Sequence, residues 1–286
     1  MNIQNFTLQI FQPEKTLAFY TNVLGFRVKE TFTSKASTYY NLYLNDSICH
    51  LQLKHTPSLE KMNYQQMPTD NYWKYSIFVD DIQKAYKELQ QQQYQINEPF
   101  QFGDIGYLAH TTDVENHQIE FIQKTFKQNS PTTKDAVAFK ENSSVLGLLT
   151  IRTKDPLKSI AFYENILDLK LYVRMYVNRG KGFTLYFLAD KNLQAPNADI
   201  DAIENREWMY QQQHLFVEIQ HYWNSEYDSE FMLNSGAKNG LQQINFSGNN
   251  AVLKEKLTTN MIAFREETTA IVFETPDKHV ISCENI

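Results

Sequence analysis

The sequence predicts an α+β fold, made of four β-α-β-β-β units that pair into two half-open barrels. The stretch TLAFYTNVLGF at 16–26 is echoed by SIAFYENILDL at 159–169, and the offset of 143 residues is half of the 286-residue chain. Self-similarity at a fixed period indicates a chain built from structural repeats. Apolar residues then alternate with a period of two, as strands do. Because one unit cannot bury both faces of its sheet, paired units are expected to curl around concave pockets.

The first unit shows the pattern most clearly. Residues 3–11 alternate as a strand, and Pro13 opens a helix, since proline favours the first helical turn. Apolar residues form one stripe along this helix, and Gly25 ends it. Three strand-like runs follow at 26–33, 38–44 and 47–54, the last two being separated by the turn signal Asn45-Asp46.

The pattern then recurs along the chain. The second unit has a strand at 73–79, a helix at 80–92 and strands at 94–100, 107–111 and 118–123. The third unit starts at Val145 and the fourth near Gly240. We expect the third unit to carry an inserted loop and short helix at 189–213, and the helix of the fourth unit, at 249–257, to be short.

The polar, weakly periodic segment 124–143 is predicted to be a linker. It divides the chain into a domain at 1–123 with units one and two, and a domain at 144–286 with units three and four.

Composition limits the class of protein. The net charge of −6 argues against nucleic acid as a partner, and the chain shows neither a signal peptide nor an apolar run long enough for a membrane helix. Two cysteines, Cys49 and Cys283, are too few for a disulfide framework, so we expect a cytoplasmic protein. The expected partner is a small-molecule ligand, with the chain a monomer or a homodimer.

Several segments resemble a known family. TIRTKDPLKSIAFYENIL at 150–167, FTLYFLA at 183–189 and LFVEIQHYW at 215–223 are similar to glyoxalase I, as are YWKYSIFVDD at 72–81 and IEF at 119–121. The chain therefore resembles the vicinal oxygen chelate superfamily and, within it, the glyoxalase I group. This resemblance implies the glyoxalase/bleomycin resistance/dihydroxybiphenyl dioxygenase fold.

The resemblance also implies two metal-ligand positions per unit, one on the first strand and one on the fourth. Matched by position, they are Asn5 with His50 or Gln52, Lys74 with Glu120, Leu148 with Glu218, and Gln243 with Ser282. Units one and two could pair with each other, as could three and four, or else one pairs with four and two with three. Neither pairing gives a complete metal-binding set, so no metal cofactor is predicted; if one binds, a divalent Zn, Ni or Fe is expected.

The resemblance assigns roles to further residues. Glu218 and Glu120 are the candidate catalytic carboxylates, and Arg152 matches the arginine that holds a glutathione carboxylate. The other candidate substrate-binding residues are His221 and Trp223 at the pocket mouth, Lys74 and Gln243. We also predict an ion pair between Lys74 and Glu120 in place of a metal, which Glu218 joins if units two and three pair.

Three functions remain open at this point. The chain is a glyoxalase-like lyase or isomerase, similar to lactoylglutathione lyase and acting on a glutathione or other thiol adduct, or a metal-free protein that sequesters a small molecule in an aromatic pocket. An extradiol dioxygenase is less favoured, because it needs two histidines and a glutamate around Fe(II).

Overall fold

The computed structural model describes residues 1–45, 47–59, 66–130, 144–235 and 240–286. Asp46 of the predicted turn and residues 131–143 of the predicted linker lie outside this part of the chain. No helix within the described residues combines the length and the apolar character that a membrane span requires.

The first two units lie before residue 124. Unit one comprises β1 (Asn2–Ile10), α1 (Pro13–Ala18) with a π-helical turn (Phe19–Val23), β2 (Arg27–Ser34), β3 (Ser37–Tyr43) and β4 (His50–His55). Unit two comprises β5 (Tyr72–Val79), α2 (Ile82–Gln91), β6 (Phe100–Phe102), β7 (Gly106–Thr112) and β8 (Gln118–Gln123).

The other two units follow residue 143. Unit three comprises β9 (Val145–Thr153), α3 (Pro156–Asn165), β10 (Leu169–Val177), β11 (Phe183–Asp190), α4 (Glu204–Tyr210) and β12 (Phe216–Tyr222). Unit four comprises β13 (Leu241–Gly248), α5 (Asn250–Thr259), β14 (Phe264–Glu266), β15 (Ala270–Glu274) and β16 (Val280–Asn285).

One strand prediction is wrong. The run at 94–100 is not a strand, since β6 starts only at Phe100, and Ile96 makes a single bridge to Thr111. The chain leaves α2 through Gln93 in the left-handed conformation, and Pro99 has no N–H to give to a ladder.

The two similar stretches, 16–26 and 159–169, end their helices in the same backbone conformation. Gly25 and Asp168 occupy the same place in the two copies, and both have positive φ angles, of 78° and 56°. Glycine adopts this conformation without steric cost, and aspartate is among the few other residues that tolerate it. The Asp168 carboxylate is also held by Lys191 and Lys256.

The units pair as one with four and two with three. The first sheet has the order β14-β15-β16-β13-β1-β4-β3-β2, and the second has the order β10-β11-β12-β9-β5-β8-β7-β6. The units join through two antiparallel pairs, β1 with β13 and β5 with β9. The predicted α+β fold of four units in two half-barrels is therefore confirmed.

These sheets do not follow the predicted domain boundaries. Segments 1–123 and 144–286 each give one unit to each sheet, so neither segment builds a sheet by itself. The buried core is also shared, because Phe6 of the first sheet packs on Tyr75 of the second with ring centroids 5.7 Å apart. The division into domains at 1–123 and 144–286 thus stays a prediction that the strand pairing does not support.

Two buried carboxylates connect the sheets by accepting hydrogen bonds at the N-termini of helices that belong to the other sheet. Glu115, in the β7–β8 turn, accepts hydrogen bonds from the backbone N–H groups of Phe11 and Gln12 and from the Thr16 hydroxyl at the start of α1. In the other pair, Asp277 accepts from the Thr153 hydroxyl and from Ser159 on α3. Carboxylates at helix N-termini are favoured there by the helix dipole.

Candidate functional site

A cavity of about 230 Å³ lies on the concave face of the second sheet, and we call it the 2/3 cavity. Its walls are mainly apolar. Leu108, Ile122, Leu148 and Leu185 contribute aliphatic side chains, and the aromatic lining is Trp73, Phe100, Phe102, Phe183, Phe187 and Tyr210.

Lys74, Glu120 and Glu218 form a buried ionic triad at this cavity. The Lys74 Nζ lies 2.6 Å from Glu120 Oε2 and 3.0 Å from Glu218 Oε2, and all three side chains are at most 7% exposed. The two glutamates come from different units, β8 and β12, and both approach the lysine on β5. This is the ion pair expected for the pairing of units two and three.

Hydroxyl groups on the first strands complete the triad. Ser76 donates to Glu120 Oε2 at 2.8 Å, and Thr150 donates to Glu218 Oε2 and receives a hydrogen bond from Lys74 at 3.1 Å. Ser76 and Thr150 lie two residues after Lys74 and Leu148, so strand alternation places them on the same concave face. Each glutamate is thus held by a hydroxyl of its own unit.

His110 is a member of the site that the sequence interpretation missed. Its Nε2 lies 3.0 Å from Glu120 Oε1, and its side chain is 36% exposed, so it connects the buried triad with solvent. His110 lies directly opposite Glu120 in the β7–β8 pair. Its two-residue spacing from the buried Leu108 could have indicated that it faces the cavity.

The triad shifts the pKa of each member. Burial alone would lower the pKa of Lys74, but the two carboxylates outweigh this effect and raise it. Burial opposes ionisation of Glu120 as well, yet the Lys74 charge and the His110 hydrogen bond hold the pKa of Glu120 below its usual range. Burial raises the pKa of Glu218, which Lys74 counteracts only in part while the Glu120 charge adds to the increase.

The insertion in the third unit contributes Tyr210 to the cavity wall. It forms α4, whose Tyr210 packs against Phe78 with ring centroids 5.3 Å apart and donates to the Ile105 carbonyl at 2.7 Å. Arg206 of the same helix reaches the Asp104 carbonyl. The sequence predicted an inserted loop and short helix at 189–213, but not that a residue of the helix would line the site.

Arg152 lies beside the cavity without lining it. Its Nε donates to Gln220 Oε1 at 2.8 Å, and its Nη1 donates to the carbonyls of Met67 and Asp70. The guanidinium also lies 5.2 Å from the Trp73 ring centroid. The match of Arg152 to a glutathione-binding arginine thus stays a prediction that these contacts do not favour, since its Nε and Nη1 donors bind groups of the protein.

His221 and Trp223 are not brought to the cavity either. Because side chains alternate along β12, His221 points to the opposite face from Glu218, where it pairs with Glu226 at 2.7 Å. Trp223 follows the strand and donates to the Thr184 hydroxyl at 2.9 Å. Their predicted place at the mouth of this cavity is not observed.

Gln243 belongs to the concave face of the first sheet, whereas the triad lies on the second sheet. Its amide donates to Asn245, which donates to Asn5 and Thr7, and Thr7 donates to Gln52. Gln52 is paired with Thr7 in the first sheet, and Glu120 is paired with Ser76 in the same way in the second. The fourth-strand position of unit one is therefore Gln52 and not His50, two alternatives that the sequence left open. At the four equivalent positions this face has Asn5, Gln52, Gln243 and Ser282, none of them charged.

The donor set of the 2/3 cavity does not fit a divalent metal. An ammonium occupies the place between the two carboxylates, and the remaining equivalent position is the apolar Leu148. Within the described residues, no group of three or more histidine, cysteine, aspartate or glutamate side chains is arranged to hold a metal ion.

Comparison with known proteins agrees with this architecture. Residues 2–121 match the model of the glyoxalase/bleomycin resistance protein/dioxygenase superfamily. Over this segment, which contains units one and two, the chain is similar to that superfamily. The structure of glyoxalase I from Zea mays superposes with a TM-score of 0.71, covering 99% of this chain and 92% of that one at 15% identity. At that identity the likeness concerns the fold alone.

Two relatives share sequence with this chain. Glyoxalase I of Saccharomyces cerevisiae is 26% identical over 253 residues, which span 80% of this chain and 72% of the yeast protein. Lactoylglutathione lyase of Pseudomonas aeruginosa is 34% identical over 79 residues, which span 27% of this chain and 42% of that enzyme. The glyoxalase resemblance predicted from the sequence is thus confirmed at the level of the family.

Proposed function

We propose that this protein binds a small, mainly apolar molecule in the 2/3 cavity without a metal ion. The observation that carries the proposal is the position of Lys74, whose ammonium lies within 3.0 Å of both Glu120 and Glu218. A cation that is part of the chain neutralises one carboxylate permanently and repels a divalent ion. The aromatic walls supply the apolar contact area typical of small-molecule pockets.

Metal content and binding of a neutral probe test this function together. We expect the purified protein to carry no stoichiometric metal by elemental mass spectrometry, and benzyl alcohol to raise its melting temperature equally with and without a chelator. Leu148→Phe, which adds volume to the cavity wall, is expected to abolish the shift. Leu157→Phe is the matched control, because Leu157 is 80% exposed. A stoichiometric transition metal, or a shift that Leu148→Phe leaves intact, would contradict the proposal.

A glyoxalase-like lyase is the second candidate. It is favoured by the similarity to glyoxalase I along 80% of the chain and by Glu218, a buried carboxylate whose raised pKa suits a proton-transfer role. The reaction would be followed by the absorbance of the thioester formed from methylglyoxal and glutathione, with and without added Zn²⁺ or Ni²⁺. Turnover that Glu218→Gln eliminates would establish this candidate over the metal-free binding protein.

A further inference from the structure

The hydrogen-bonding capacity of the triad limits what a ligand can contact. A lysine ammonium has three donors. Those of Lys74 are directed at Glu120, Glu218 and Thr150, with Ser76 more distant at 3.4 Å. The ammonium is therefore saturated by the protein and has no donor left for a carbonyl or carboxylate of a ligand.

The two glutamates differ in how many of their carboxylate oxygens accept hydrogen bonds. Glu120 uses both oxygens, with Lys74 and Ser76 at Oε2 and His110 at Oε1. Glu218 accepts from Lys74 and Thr150 at Oε2, while its Oε1 accepts no hydrogen bond from the described residues. Since Glu218 is only 3% exposed and lines the cavity, its Oε1 is an acceptor at the cavity wall that is available to a ligand.

The charged groups of the site leave it with an excess of negative charge. Two carboxylates face one ammonium, and His110 adds a positive charge only when protonated. The other charged group of the lining, Arg179, lies in the exposed turn before β11, where water and salt screen it. The interior thus holds one carboxylate more than its cations balance, in apolar surroundings where an unpaired charge is unfavourable.

Building on the proposed function, we propose that the 2/3 cavity is selective for compact organic cations, in which an ammonium group is attached to an aromatic or branched apolar body. The ammonium would donate to Glu218 Oε1 and balance the excess negative charge, while the body lies against the aromatic walls. The volume of about 230 Å³ is below the ~300–1,000 Å³ of pockets for drug-sized ligands, so one substituted ring is the expected size.

Four probes that share one ring test this selectivity by calorimetric titration of the intact protein: benzylamine, benzyl alcohol, toluene and benzoate. We expect benzylamine to bind about tenfold more tightly than benzyl alcohol, since a hydrogen bond between two charged groups is stronger than one with a neutral donor. Toluene should bind more weakly than benzyl alcohol, and benzoate should not bind detectably.

Glu218→Gln should remove the preference for benzylamine over benzyl alcohol, measured as the ratio of the two dissociation constants. Glu255→Gln is the matched control, because it changes the net charge equally at an exposed position on α5. If benzyl alcohol or benzoate binds wild-type protein as tightly as benzylamine, or if Glu255→Gln removes the preference equally, the inference on ligand class is wrong while the proposed function stands. If none of the four probes binds, both fail.

Discussion

Replacing Lys74 by methionine keeps a long unbranched side chain and removes the ammonium. Glu120 and Glu218 would then be left buried without the cation that lies within 3.0 Å of both. Removing one partner of a buried ion pair is much more destabilising than losing an exposed pair, because the remaining charge stays out of water.

The size of this effect follows from the pKa of a carboxyl group. Without Lys74, at least one glutamate must take up a proton to relieve the repulsion. From the usual pKa of 4.5, this costs about 3 kcal/mol at pH 7 and less than about 1 kcal/mol at pH 5, at ~1.36 kcal/mol per pKa unit. The value at pH 7 agrees with the ~3–5 kcal/mol known for broken buried pairs.

Urea unfolding of wild-type protein and Lys74→Met at the two pH values measures this difference. We expect the variant to lose about 3 kcal/mol of unfolding free energy at pH 7 and much less at pH 5. Lys87→Met is the control, because Lys87 is exposed on α2. A loss at pH 7 no larger than that of Lys87→Met, or an equal loss at both pH values, would refute the assignment of Lys74 to a buried triad.

Three further predictions concern other parts of the chain. Burial, with a smaller effect from the Lys29 charge, lowers the pKa of His50 to about 4. The fold is therefore most stable above pH 6.5, where His50 is neutral, and it loses at most about 3 kcal/mol of unfolding free energy as the pH falls toward 4. His50→Asn should flatten that part of the curve of stability against pH, measured by urea unfolding. Arg152→Ala should reduce the unfolding free energy by about 2–4 kcal/mol, since Gln220 and two carbonyls lose their donor, while benzyl alcohol affinity changes by less than about twofold; a selective loss of affinity would instead restore Arg152 as a ligand contact. Gly147→Ala would place a methyl group 2.2 Å from the Phe78 ring, so a loss of about 1–3 kcal/mol is expected in thermal unfolding, and an unchanged midpoint would show that the ring can move freely.

The sequence by itself determined the repeating units and the residues that each unit offers to its concave face. Alternation along a strand is a local property, so Lys74 and Ser76 could be assigned to one face, as could Thr150 and Arg152. The repeat placed Gly25 and Asp168 at equivalent helix ends, where both adopt the left-handed conformation. Such features depend on neighbours within a few residues, which the sequence displays directly.

Only the tertiary structure decided which units pair, and the composition of the site depends on that choice. Glu218 reaches Lys74 across 144 residues of sequence because β5 pairs with β9, a contact that strand alternation alone does not specify. The same packing brings Tyr210 of α4 in unit three against Phe78 of β5 in unit two. It also commits the Arg152 donors to groups of the protein itself. Pairing between distant units depends on the total apolar surface that the whole chain buries. A local sequence pattern does not reveal that total.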